Sequence, residues 1–370
     1  MRCALPLALA RPYPLFAAYP ALRDQLAREP LAEDRTPVHA LKRLLAGNIW
    51  IKRDDQCSFL YGGTKIRKIE FLMGEARAAE KSRIVALGAA GSHFLLASAV
   101  CAKRLGIELE AVICDQPMAT AARQNLLALF DQSATLRYGG SQWRAAAYFG
   151  SRLLRRKKTE YFLPAGGSSP LGTVGVVNAA FELKAQIESG MMPPPAMVVC
   201  ALGSGGTLAG LALGAQLAGL ESEVVGVRVY PERIGPLPTA TAGRVCRLMK
   251  NTLRLLRHLS PNIPNLRIHV PRILGNYIGR GYAIPNPSGE TAKRRLAESE
   301  GIQLESTYTA KTFAAVLDLR RNLSDPAPVL YWHSFSGEFA KCKLKLSEYR
   351  RLPRALHSLF EQPPSQSRER

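Results

Sequence analysis

The sequence predicts an α/β fold of two domains, built on open, twisted, mostly parallel sheets with helices on both faces. Three observations carry this expectation. From about residue 49, short β-branched runs alternate with helix-length segments, the pattern of parallel strands joined by crossover helices. Glycine-rich turns stand where several of those runs give way to helices, and such junctions are where open α/β sheets bind ligands. With 370 residues, 47% of them hydrophobic and 21% charged, the chain can bury a large core, and disordered and fibrous classes are excluded.

In chain order, strands are expected at Ile49–Arg53, Arg83–Leu87, Leu109–Cys114, Thr135–Tyr138, Glu160–Leu163, Met197–Leu202, Glu223–Tyr230 and Val329–His333. Helix patterns lie between them at Thr64–Glu80, Phe94–Leu105, Leu171–Ile187 and Thr207–Ala218, the last stopped by Gly219. The run Pro193-Pro194-Pro195 reads as a stiff connector before a strand and a candidate domain crossing. Gln362 to Arg370 is polar and reads as a disordered tail. No internal repeat is found.

Bulk properties narrow the function. Seven scattered cysteines without a CxxC pair read as reduced thiols, which points to the cytoplasm. The apolar start Met1–Ala10 is short and broken by Pro6, so it is not read as a secretion signal. No apolar run reaches the roughly 18 residues of a membrane span. The net charge of +21 is spread along the chain, densest at Arg152–Lys158 and Arg244–Arg257. No nucleic-acid-binding motif accompanies it, so it reads as a solvated basic surface with anionic small-molecule ligands.

Three segments carry chemistry. Gly203-Ser204-Gly205-Gly206-Thr207 follows the strand Met197–Leu202 and opens a helix. Its amides can converge on an anion at a helix N-terminus, which suits a phosphate; taken alone it reads equally as a tight connector. It is neither a GxxxxGKS/T loop nor a dinucleotide fingerprint. Next, Gly62-Gly63-Thr64-Lys65 places a lysine in the first turn of a helix, with Arg67 and Lys68 nearby. Neighbouring cations and the helix N-terminus disfavour a protonated amine, and imine chemistry with an aldehyde needs an uncharged one. The two glycines permit close approach of a bulky ligand. Third, Gly88-Ala89-Ala90-Gly91-Ser92-His93 leads into a helix that Ser92 can cap, or where Ser92 and free amides can hold a carboxylate.

IKRDD (51–55) followed by GGTKIRKIEFL resembles the cofactor-lysine segment of the D-cysteine desulfhydrase and aminocyclopropane-carboxylate deaminase family. The likeness continues in family order through GAAGS (88–92), PAGGSSPLGTVGVVNAA (164–180), GSGGTLAG (203–210), GYAIPNPSGE (281–290) and YTAK (308–311). It implies the second fold type of pyridoxal-phosphate enzymes, tryptophan synthase β-like, with pyridoxal 5′-phosphate between two domains. The large, cofactor-binding domain would comprise residues 1–69 and 179–370, and the small α/β domain residues 70–178. By that likeness Lys65 would form the Schiff base with the cofactor, Gly203, Ser204, Gly205, Gly206 and Thr207 would cradle the phosphate, and Ser334 would lie near the pyridine ring. Ser92 would lie beside the substrate carboxylate, and Tyr282 and Tyr308 would be the two active-site tyrosines. Family members are commonly homodimers.

The chain departs from the family at two places. Ser92-His93-Phe94 replaces Ser-Asn-His, which puts His93 in the substrate-binding region, and Thr64 replaces the Asn of GGNK. The ring-opening deaminases carry Glu after the second tyrosine, where it can pair with the pyridine nitrogen, whereas Thr309 follows Tyr308 here and by that likeness would be a cofactor-binding hydroxyl. That places the chain on the desulfhydrase side, with α,β-elimination from D-cysteine or a related small amino acid as the expected reaction. Ring opening of aminocyclopropane carboxylate, another lyase or racemase activity, and a catalytically silent cofactor-binding protein are the alternatives. Neither nucleic acid nor membrane is an expected partner.

Overall fold

The computed structural model describes residues 13–33, 35–44, 48–235, 237–324, 326–335 and 343–362. The apolar start and positions 363–370 of the expected tail lie outside them. Twelve strands are present among the described residues: β1 (Val38–Ala40), β2 (Ile49–Lys52), β3 (Arg83–Ala89), β4 (Glu108–Cys114), β5 (Thr135–Gly140), β6 (Glu160–Leu163), β7 (Met197–Leu202), β8 (Glu223–Arg228), β9 (Arg233–Ile234), β10 (Leu237–Pro238), β11 (Arg272–Leu274) and β12 (Val329–Trp332). They form a six-stranded sheet in the order β1-β2-β12-β7-β8-β11, a four-stranded sheet in the order β5-β4-β3-β6, and the small ribbon β9–β10. Apart from the edge pair β1–β2, every pairing in the two sheets is parallel.

All eight expected strands are present, within one or two residues at most ends. Parallel strands covered by helices on both faces read as continuous apolar runs, and β12 shows this plainly, with all four of its residues buried. The expected helices appear as Lys65–Ala78, His93–Leu105, Pro170–Glu188 and Gly206–Leu217. The last gives way to Gly219 at φ +65°, a left-handed stop that glycine adopts without penalty. The strands of the four-stranded sheet all fall within residues 83–163. The expected domain limits at 69/70 and 178/179 fall inside helices Lys65–Ala78 and Pro170–Glu188, which run through them unbroken.

Those two helices pack closely. A Cβ on Gly175 would collide with the carbonyl of Arg67, and one on Gly210 would lie 2.5 Å from Val176 Cβ. Small residues thus bring Lys65–Ala78, Pro170–Glu188 and Gly206–Leu217 together. Behind the contact lies a buried charge cluster. Arg67 donates to Asp54 (Nε–Oδ1 2.9 Å) and to Glu182 (Nη1–Oε2 2.8 Å), while Lys52 is bonded to Glu182 and, at 2.7 Å, to the carbonyl of Thr36. Burial alone would raise the carboxyls of Asp54 and Glu182, but the adjacent Arg67 and Lys52 hold both below the ordinary range. Trp332 Nε1 donates to the other oxygen of Asp54 at 3.1 Å. The cluster therefore ties β2, β12 and both helices into one frame behind the site.

Candidate active site

The carboxyl ends of β2, β3, β7 and β12 open on a cavity of about 350 Å³ between the two sheets. Lys65, Ser92, His93, Gly203, Ser204, Gly205, Thr207, Tyr282, Tyr308 and Ser334 all line it. Gly206 and Thr309 do not. Gly206 lies just behind, its amide donating to Ser168 Oγ at 3.1 Å. Thr309 is buried with its hydroxyl bonded to the carbonyl of Glu305 at 3.1 Å.

Lys65 begins its helix directly after the loop from β2. Its amine stands 5.3 Å from the ring centre of Tyr308 and 5.9 Å from that of Phe335. Burial between these rings lowers its pKa, against an opposing pull from Glu305. The expected depression is present, but its cause is desolvation. Arg67 plays no part, because two residues of helical phase turn it to the far side, into the Asp54–Glu182 cluster. Nor does Gly63 serve a ligand: at φ +110° its missing Cβ makes room for Ser334, whose carbonyl oxygen would lie 2.6 Å from it. Thr64 N then donates to that same carbonyl at 3.1 Å, locking β12 to the lysine loop.

Lys68, three residues on and so on the same helix face, also lines the cavity. Among the described residues its amine has a single hydrogen-bond acceptor, the carbonyl of Gly166 at 3.1 Å. It stands 3.0 Å from where a Cβ on Gly206 would be, beside the N-terminus of Gly206–Leu217. Burial, together with Lys65, brings its pKa down to about 7. A buried ammonium with one partner at a helix N-terminus is a place made for an anion. Gly205 adopts φ +94° there, and Ser204 Oγ pairs with Ser168 Oγ at 2.7 Å. The turn therefore presents backbone rather than side chains. These residues fit the phosphate of pyridoxal 5′-phosphate, and a buried lysine of lowered pKa in the same cavity fits its aldehyde.

On the facing side, Ser92 caps helix His93–Leu105, its Oγ accepting from Leu95 N at 3.3 Å, so capping and a place in the cavity coexist. His93 turns inward. Its Nδ1 lies 2.9 Å from Tyr61 Oη and 3.1 Å from Asn125 Nδ2, and its ring centre 4.3 Å from that of Phe335. Asn125 Nδ2 also lies 3.4 Å from Nε2, and burial with Lys65 nearby lowers the imidazole pKa to about 3. Phe94 is buried in the core and also borders the cavity.

Tyr282 and Tyr308 form a pair with hydroxyls 2.6 Å apart. The flanking motif explains the geometry. Asn286 caps the helix Pro287–Glu300 and donates to the Tyr277 carbonyl, while Lys311 donates to the carbonyls of Ile278 and Gly281 at 2.8 and 2.9 Å. The loop carrying Tyr282 is thereby tied to the helix that follows Tyr308. Glu305 accepts from the amides of Thr307, Tyr308 and Thr309. Burial raises the pKa of both phenols, which keeps them protonated.

Comparison with known proteins gives the family. A family model described as pyridoxal-phosphate dependent enzyme matches residues 30–334. A D-cysteine desulfhydrase of Klebsiella pneumoniae is 31% identical over 313 residues, covering 81% of this chain and 90% of that protein. One of Serratia proteamaculans is 30% identical over 328 residues, covering 85% and 96% respectively. The crystal structure of an ACC deaminase homologue superposes with a TM-score of 0.73 at 26% identity, covering 94% of this chain and 99% of that one. A threonine deaminase isoform from Solanum lycopersicum shares the fold, with a TM-score of 0.59 at 14% identity. The chain belongs to the pyridoxal-phosphate-dependent enzymes.

Proposed function

We propose that this enzyme is a lyase that eliminates the α-proton and β-substituent of a small amino acid, with D-cysteine as the leading substrate. One observation carries the reading: a buried lysine amine of lowered pKa and a glycine turn opening a helix share a single cavity with a paired phenol. The names of the relatives support D-cysteine, as does Thr309 after Tyr308, where the ring-opening deaminases carry Glu.

Pyridoxal phosphate, when bound, supplies the electron sink that makes the α-proton removable. Lys65 would hold its aldehyde. The amides of Gly203, Ser204, Gly205 and Thr207, with Lys68, would hold the phosphate, while Gly206, its amide bonded to Ser168, stands behind the turn, and Ser334 would face the pyridine ring. Ser92 accepts from Leu95 N, which leaves its O–H free to donate to a substrate carboxylate. Lys65, its pKa lowered by burial, takes the α-proton. The Tyr282–Tyr308 pair, kept protonated by burial, hands a proton to the departing sulfur. The net reaction is D-cysteine plus water giving pyruvate, ammonia and sulfide.

Purified protein loaded with the cofactor should release ammonia from D-cysteine, and Lys65→Ala should abolish the release. Ammonia formed only from aminocyclopropane carboxylate would overturn this reading in favour of ring opening, to which the likeness to an ACC deaminase homologue also points. The same reading takes residues 70–178 as a small domain against a large one of 1–69 and 179–370, with the cavity between them. The unpaired Cys57, Cys101, Cys114, Cys200 and Cys246 support a cytoplasmic setting. A homodimer rests on the family likeness alone.

A further inference from the structure

Next to the catalytic cavity lies a second one of about 540 Å³, and His93, Tyr282 and Tyr308 line both. Its far walls come from the start of helix Thr120–Asp131 and from the segment before Tyr308. Its charges are already engaged. Glu305 is held by three backbone amides, and Lys293 lies 3.2 Å from Ser306 Oγ and 3.7 Å from Glu290. What remains is a set of carboxamides, Gln116, Gln124, Asn125 and Gln303. Among them Gln116 Oε1 is buried without a hydrogen-bond partner in the described structure, a costly state that an incoming donor would relieve.

We propose that this second cavity is the leaving-group subsite, and that it takes the distal part of a β-substituent carrying an uncharged N–H or O–H group. The inference rests on the elimination reading above and extends its substrate class from cysteine to β-substituted alanines with polar tails. The tyrosine pair protonates the leaving atom, so that atom must lie against the pair. The second cavity is bordered by the same two tyrosines, and by His93. For an S-substituted cysteine the Cα–H and Cβ–S bonds break. The α-proton goes to Lys65, and the sulfur leaves with its electron pair and takes a proton from the tyrosines. With water, the products are the thiol, pyruvate and ammonia.

Two measurements on the cofactor-loaded protein test this. Calorimetric titration with glutamine and alanine, each enantiomer in turn, needs no leaving group. Glutamine should bind about ten-fold tighter than alanine of the same configuration, the scale on which a built polar site discriminates. Ala121→Trp, on the exposed rim of the cavity, should remove that preference and leave alanine binding unchanged. Gln116→Leu, which keeps the side chain's bulk and drops the acceptor, should reduce it. In turnover, Ala121→Trp should lower kcat/KM for S-(carbamoylmethyl)-D-cysteine about ten-fold while that for D-cysteine stays the same. Equal binding of glutamine and alanine, or a variant that slows both cysteines alike as a blocked access route would, overturns the proposal. A glutamine preference without D-cysteine turnover would instead reject the elimination reading and leave the subsite standing.

Discussion

Lys65, Arg67 and Lys68 crowd into four residues, and helical phase sends them to different fates. Lys65 and Lys68 share the cavity, while Arg67 is neutralised in the core. The position of Lys68 is legible in the sequence, since a residue three places after a lysine on a helix shares its face, although its charge alone reads only as a neighbour of Lys65. Tyr61 and Asn125 were not legible, because each stands 32 residues from the His93 they clamp and only the fold brings them together. Lys68 yields a prediction with two signs. Replacing it with Met should weaken binding of the cofactor about 10- to 100-fold, the scale of a charge-assisted hydrogen bond, as read by absorbance titration. The cofactor-free protein should respond oppositely. With a folded pKa of about 7 against an ordinary 10.5, the unfolded chain binds more protons between those values. Stability therefore rises with pH across that window and is reduced below it, by on the order of a few kcal/mol. Lys68→Met should flatten that slope in denaturant titrations at pH 7 and 9. An unchanged slope, or undiminished cofactor affinity, would place Lys68 outside the anion site.

Among the elements, the helix Pro170–Glu188 sets where the lysine stands. It meets Lys65–Ala78 at Gly175, where no side chain fits beside the Arg67 carbonyl, and it carries Glu182 of the buried cluster. Gly175→Ala should push the two helices apart, costing about 1–3 kcal/mol by overpacking. Because Lys65 rides on the displaced helix, cofactor affinity should drop together with the denaturation midpoint. A variant that loses stability but keeps full affinity would show that the contact does not position the lysine. The same elements show why the sheets were readable. Central parallel strands are largely apolar, and the six central strands among the eight expected carry that signal, while β5 and β6 are edges of the smaller sheet. The strands that were missed, β1, β9, β10 and β11, have two or three residues each and lie at sheet edges or in the ribbon. Runs that short carry no periodicity. Thr309 failed for another reason: a hydroxyl at a helix start can face a ligand or its own backbone, and only the bond to Glu305 decides it.

For the whole molecule, the decisive feature is that the cavity takes its walls from both sheets. Ser92 and His93 follow β3 of the smaller sheet, while the glycine turn follows β7 and Ser334 follows β12 of the larger. A ligand that touches both walls cannot bind either half alone, so its binding free energy adds to the stability of the assembled fold. At a cofactor concentration about 100 times its Kd, linkage gives roughly 2.7 kcal/mol. Such a gain raises the melting temperature of a chain this size by several degrees, since about 1 kcal/mol shifts Tm by roughly 2–4 °C in domains of 150–250 residues and by less in longer chains. Lys65→Ala keeps the cavity and the phosphate site but removes the covalent anchor, so it should retain only part of the shift. Scanning calorimetry of both proteins, with and without the cofactor, measures this directly. If loading leaves Tm unchanged in the wild-type protein, or if two separate transitions respond differently, the cofactor is held by one sheet only and does not span the cavity.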